Sequence, residues 1–143
     1  MISSVLVVCV GNVCRSPVGA RLLASACPGI RVESAGIGAL IGHTADKDAA
    51  KVASEHGVNV EGHIARQFSG ELAKDFDLIL VLEKGHRKAM ASLAPEVSGK
   101  TMLFGKWMGD KDIPDPYRKS LDFHVEVFRQ IQYAAQAWAA KLG

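Results

Sequence analysis

The chain has 143 residues, a formal net charge of +2 and three cysteines, enough length for one domain spanning 1–143 with its own core. The small charge and the lack of any Lys/Arg run argue against a nucleic-acid partner. No apolar stretch approaches the roughly 20 residues that cross a bilayer, and nothing reads as a signal peptide, so the expectation is a cytoplasmic protein without membrane insertion.

Val5 to Val10 is a continuous, largely β-branched apolar run, the pattern of a strand buried on both faces. It ends at Gly11-Asn12. Ser16 is then an N-cap candidate with Pro17 at the first helical position, and the helix stops before Pro28-Gly29. Ile30 to Ser34 predicts a second strand. Gly36, Gly38 and Gly42 predict a mobile loop after it. A helix follows over about Asp46 to His56, with Gly57 as its stop. Ser69 can cap a short helix over Glu71 to Lys74. Asp77 to Leu82 is another buried strand, Lys84 to Ala94 a helix ended by Pro95, and Lys100 to Phe104 a fourth strand. Gly105 to Tyr117 reads as a long loop. The last helix runs from about Ser120 to Leu142, with Phe123, Val127, Ile131, Ala134, Ala135 and Trp138 at core-facing spacing. Strands alternating with helices predict an α/β fold, a doubly wound four-stranded parallel sheet with helices on both faces.

The sharpest feature is Cys9-Val10-Gly11-Asn12-Val13-Cys14-Arg15-Ser16-Pro17, at the handover from the first strand to the first helix. Ligands of open parallel sheets bind beyond the carboxyl ends of the strands. The first amides of the following helix carry partial positive charge into that space. Gly11 permits successive N–H groups of residues 10–16 to converge as an anion nest, sized for a phosphate dianion. Helix N-termini and nearby cations favour the thiolate, which makes Cys9 the candidate nucleophile. Arg15 offers a planar fork for two phosphate oxygens, a geometry that lysine lacks. Cys-x5-Arg alone is a loose pattern, and a strand cysteine is ordinarily just packed. The Gly-Asn, Cys-Arg-Ser and Pro elements at this junction make the reading specific. Three cysteines near one end make a poor disulfide framework, and no second cluster with zinc spacing follows.

This loop is similar to the signature of the low-molecular-weight protein tyrosine phosphatases, Cys-x-Gly-Asn-x-Cys-Arg-Ser-Pro. The resemblance runs through nearly the whole chain, over Glu33-Ser34-Ala35-Gly36, Gly62 to Gln67, Asp77 to Leu80 and Asp115-Pro116-Tyr117. It implies hydrolysis of phosphotyrosine through a phosphocysteine on Cys9, with no cofactor or metal. Asp115, bracketed by Pro114 and Pro116, becomes the general acid, and Asp112 a weaker rival outside the match. The resemblance further implies that Ser16 donates to the Cys9 sulfur, and that Asn12, Ser34 and His63 lock the loop. Tyr117 forms one wall of the cleft and Leu40 the other, where many eukaryotic relatives carry an aromatic residue. Cys14 is a candidate redox partner for Cys9; Cys27, Trp107 and Trp138 are packing residues. The Leu40 wall resembles the bacterial subgroup partnered with membrane-associated tyrosine autokinases of capsule and exopolysaccharide export. A monomer acting on such a kinase is the expectation.

Rival readings have distinct signatures. A phosphocysteine carrier needs neither Arg15 nor a distant acid. An arsenate reductase on this fold relays a disulfide through downstream cysteines, and none follows Cys27. Arginine phosphatases of this type carry Thr where this chain has Val13. A noncatalytic phosphotyrosine-binding module would not require an intact nucleophile and acid. No Gly-Lys-Ser/Thr loop supports a nucleotide site.

Overall fold

The computed structural model describes residues 1–143. Four strands, β1 (Ser4–Cys9), β2 (Arg31–Gly36), β3 (Leu78–Val81) and β4 (Thr101–Leu103), form one sheet in the order β2-β1-β3-β4. All pairings are parallel. Every residue of β1 and β3 is buried, as their unbroken apolar runs require. Alternate side chains feed two cores. Val5, Val7, Cys9, Leu78 and Leu80 face α1 (Arg15–Ala26), α2 (Lys47–Glu55) and α5 (Leu121–Leu142). Leu6, Val8, Ile79 and Val81 face Phe68, Phe76 and Met90, on the side of α3 (Gly70–Ala73) and α4 (Lys84–Leu93). Helices thus cover both faces, the doubly wound arrangement.

The order places the topological switch between β1 and β3. From β1 the chain winds outward to β2, then returns to β3 and β4 on the other side. The crevice beyond these two central strands is where such folds hold ligands, and the segments that follow β1 and β3 both enter it.

Local caps explain several boundaries. Asp46 caps α2 by accepting from Asp48 N and Ala49 N, each at 3.1 Å. Ser69 caps α3 through Leu72 N, and Ser120 caps α5 through Phe123 N. On α5, His124 and Phe128 join Val127, Ile131, Ala134, Ala135 and Trp138 in the buried stripe. Trp138 donates its indole N–H to Leu103 O at 3.1 Å, and Trp107 packs edge-on against it with ring centroids 5.5 Å apart. The Gly105 to Tyr117 segment contains a single tight helical turn, Lys106–Met108.

Three expectations need correction. Ser16 is not the N-cap of α1: the helix already begins at Arg15, Cys14 occupies the cap position, and no side chain caps it. Pro17 is therefore the third helical residue, tolerated because its missing N–H would have no intrahelical partner there. The Gly-rich stretch after β2 is not free. Ile37 N donates to Cys9 O (2.9 Å), Gly38 N to Val10 O (3.0 Å) and Leu40 N to Gly11 O (3.0 Å), so it continues β2 alongside the loop that follows β1.

Candidate active site

The segment from Cys9 to Cys14 leaves β1 and curls into α1 with the carbonyls of residues 9–13 turned outward. Those of Cys9, Val10 and Gly11 are held by the β2 extension. That of Asn12 accepts from His63 Nε2 at 2.6 Å, and that of Val13 from Asp46 N at 2.8 Å. The amides of residues 10–14, by contrast, have no intramolecular acceptor. Outward carbonyls and unengaged inward amides form a positively polarised cradle at a helix N-terminus.

Asn12 fixes that curl. It is fully buried with φ at 59°, in the left-handed region where Asn is among the better-tolerated residues. Its side chain donates to Ser16 Oγ (2.7 Å) and Ser34 Oγ (3.0 Å) and accepts from Arg66 N (3.0 Å). With its oxygen receiving the Asn12 amide, Ser16 has its one hydroxyl proton left for Cys9 Sγ, 2.8 Å away. That hydrogen bond suits an anionic sulfur. Gly36 admits the close approach of the β2 extension: a Cβ there would lie 2.3 Å from Val10 O. The His63 ring donates through Nε2, and burial, with help from the Arg21 and Arg66 charges, pushes its pKa down against the pull of the Asn12 carbonyl. That shift favours the neutral form of the ring that braces the loop.

Arg15 is 2% exposed. Its Nη1 donates to Glu83 Oε2 at 2.5 Å and to Ile113 O at 2.7 Å. Its Nε has no partner, and Nη2 lies 3.8 Å from Asp115 Oδ2. One edge of the guanidinium is thus anchored, and the Nε–Nη2 edge remains for an oxyanion. Sequence reasoning missed both anchors. Glu83 carried a faint signal, an acidic residue directly beyond the central buried strand; the Ile113 carbonyl carried none. His86 Nε2 lies 3.5 Å from the same Glu83 oxygen, and its pKa is lowered by burial and by the Arg15 charge.

Cys9, Val10, Val13, Cys14, Arg15, Gly38, Leu40, Asp115 and Tyr117 line, with Gly11, a cleft of about 170 Å³. The predicted walls, Leu40 and Tyr117, therefore share it with the candidate nucleophile and acid. Asp115 Oδ1 accepts from Tyr117 N at 3.0 Å, which holds the carboxylate at the cleft mouth. Asp112 does not line the cleft; it accepts from Lys84 N at 2.8 Å and so caps α4. Cys14 is buried, and its thiol is pushed well up by that burial and by the charges of Asp46 and Asp115, with Arg15 only partly offsetting them. All three cysteines are free, and Cys27 sits at the C-cap of α1.

The family model described as low molecular weight phosphotyrosine protein phosphatase matches residues 4–143. Escherichia coli K12 Etp, a low molecular weight protein-tyrosine-phosphatase, is 51% identical over 140 residues, covering 98% of this chain and 95% of its own. Vibrio vulnificus Wzb in complex with benzylphosphonate superposes with a TM-score of 0.97 at 52% identity, covering 99% of both chains. The tyrosine phosphatase Wzb of Escherichia coli K30 with sulphate superposes with a TM-score of 0.99 at 47% identity over 100% of both. A cysteine and an arginine on an amide cradle at the end of β1, inside a fold shared over its full length, make the conclusion plain: the chain belongs to the low-molecular-weight phosphotyrosine protein phosphatase family.

Proposed function

We propose that this chain hydrolyses protein phosphotyrosine with Cys9 as nucleophile, Arg15 as phosphoryl clamp and Asp115 as general acid, the whole of 1–143 acting as one catalytic domain. The observation that carries the assignment is the polarity of the loop, where the carbonyls of residues 9–13 are all engaged outside while the amides of 10–14 are unengaged. These amides and the free edge of Arg15 meet the charge of the three non-bridging phosphoryl oxygens. The Cys9 sulfur attacks phosphorus, and the bond to the tyrosyl oxygen breaks as Asp115 gives that oxygen its proton. A phosphocysteine results. Asp115, now ionised, takes a proton from the attacking water, and the sulfur leaves as thiolate with release of phosphate. Equatorial charge in each transition state falls on the same amides and guanidinium, so they lower the barrier as well as bind.

Leu40 and Tyr117 are proposed as walls for the phenyl ring. Benzylphosphonate bound by the Vibrio vulnificus relative, an aromatic phosphonate, supports an aryl ester as substrate. The partner is proposed to be a membrane-associated tyrosine autokinase of capsule or exopolysaccharide production, acted on by a cytoplasmic monomer; Leu40 in place of an aromatic wall supports that subgroup. No helix is long and apolar enough to cross a membrane. Cys14 is proposed to close a disulfide on oxidised Cys9. Burial and the neighbouring carboxylates push its thiol pKa up, which works against closure. Intact-mass analysis after peroxide should show a dithiothreitol-reversible loss of two hydrogens, and over-oxidised Cys9 alone would discard the idea.

The test is phosphate release from peptides carrying phosphotyrosine, phosphoserine or phosphoarginine, with the kinase tail among the phosphotyrosine set. Release from phosphotyrosine peptides is expected, abolished in Cys9→Ser while phosphate still binds that variant. A single-turnover burst without steady release would indicate a carrier, and preference for phosphoarginine would overturn the substrate assignment.

A further inference from the structure

We propose that Asp46, Asp48 and His124 form a binding site for one divalent transition-metal ion of the zinc class, at the contact between α2 and α5 and apart from the catalytic cleft. One donor atom from each of the three lies within 4.8 Å of the others. The decisive member is His124, in the first turn of α5 and 3% exposed. Its Nε2 is buried without a hydrogen-bond partner and lies 3.9 Å from Asp46 Oδ2. A nitrogen enclosed in this way needs a partner facing it, and for the bare lone pair of a neutral imidazole that partner is a proton donor or a cation. No lysine or arginine forms an ion pair with either carboxylate, so besides the α2 amides that Asp46 caps only His124 faces the two anionic groups.

The spacing suits a metal. Two donors on one tetrahedral ion, at bonds of about 2.0–2.2 Å, lie about 3.4 Å apart, so the 3.9 Å between His124 Nε2 and Asp46 Oδ2 would close by about half an ångström on binding. The two α2 amides that Asp46 caps hold that carboxylate in place, as outer hydrogen bonds do for metal ligands. Asp46 and Asp48 are only partly buried, which leaves an entry path on their side while His124 closes the inner one. An imidazole in the set selects zinc, nickel or copper over magnesium. The site has a bearing on catalysis, since Asp46 N holds the Val13 carbonyl of the phosphate cradle. A bound ion would pin that residue to α5.

Zinc titration calorimetry on the Cys9→Ser protein, which removes the candidate nucleophile as a competing ligand, tests the proposal. One equivalent should bind, with affinity lowered about tenfold or more in Cys9→Ser/His124→Phe and in Cys9→Ser/Asp48→Asn. Asp48→Asn keeps the Asp46 cap and the buried packing, so it stands as the check if the phenylalanine variant fails to fold. In ¹⁵N spectra, zinc should move the His124 Nε2 resonance and magnesium should not. Unchanged stoichiometry and affinity in both variants, or an Nε2 resonance indifferent to zinc, would overturn the proposal.

Discussion

The anchoring of Arg15 by Glu83 offers the most exacting test of the active-site geometry. Glu83→Ala removes a charge-assisted bond of 2.5 Å to a guanidinium that is 2% exposed. At 4 Å between charge centres, the attraction is about 4 kcal/mol at an effective dielectric of 20. Glu83 is 34% exposed, so water screens part of that, and the bond from Arg15 to Ile113 O survives. A net loss of about 2–3 kcal/mol in transition-state positioning is the expectation, in the range of hydrogen bonds to charged groups. That converts to roughly 30- to 150-fold in kcat/KM for p-nitrophenyl phosphate. Glu83→Gln keeps an acceptor and loses only the charge, so its deficit should be about tenfold or less. Inhibition by inorganic phosphate should weaken in parallel, because the same fork binds the ground-state anion. If Glu83→Ala stayed within about twofold of the parent in both measurements, Arg15 would be held by packing and the Ile113 carbonyl alone.

Other expectations follow from the same geometry. Asp115→Asn retains an oxygen for the Tyr117 amide and so should fold normally; phosphoenzyme formation should slow by about 10²–10⁴ for poor leaving groups and less for p-nitrophenolate. Equal, unaltered rates for aryl and alkyl phosphates would discard Asp115 as the acid. Gly36→Ala puts a Cβ 2.3 Å from Val10 O and 3.0 Å from Asn12 Cβ, so a loss of about 2 kcal/mol or more in urea unfolding is expected, together with a weaker phosphate affinity; normal behaviour in both would mean the cradle is softer than its hydrogen bonds imply. For pH, the folded values of His63 and His86 lie below the ordinary 6.5, so the unfolded chain binds those protons more readily. Their contribution is complete above about pH 7 and is lost as pH falls through 6.5 toward the folded values. Urea midpoints should therefore drop between about pH 7 and about pH 5, and His63→Gln should shallow that drop; a slope unchanged by the substitution would remove His63 from the account.

Much of the molecule could be read from the chain alone, because the signals were local. Unbroken apolar runs mark β1 and β3, which are buried on both faces, and the stripe on α5 follows helical spacing. Cys9 through Pro17 compresses nucleophile, cradle and clamp into one loop, so their proximity needs no long-range contact. What only the folded chain decided are partnerships across distance. Arg15 meets Glu83 and Ile113, 68 and 98 residues away, because the order β2-β1-β3-β4 sets the end of β3 beside the end of β1; a strand pattern does not reveal its neighbours. The glycines after β2 suggested freedom, since a glycine reads the same whether it permits motion or close approach, and only the pairing of residues 37–40 with Cys9, Val10 and Gly11 distinguished the two. Ser16 shows the same limit at short range. Its type suits a cap, yet the buried Asn12 amide and the Cys9 sulfur claim its hydroxyl, so three-dimensional hydrogen-bond demand overrode local preference.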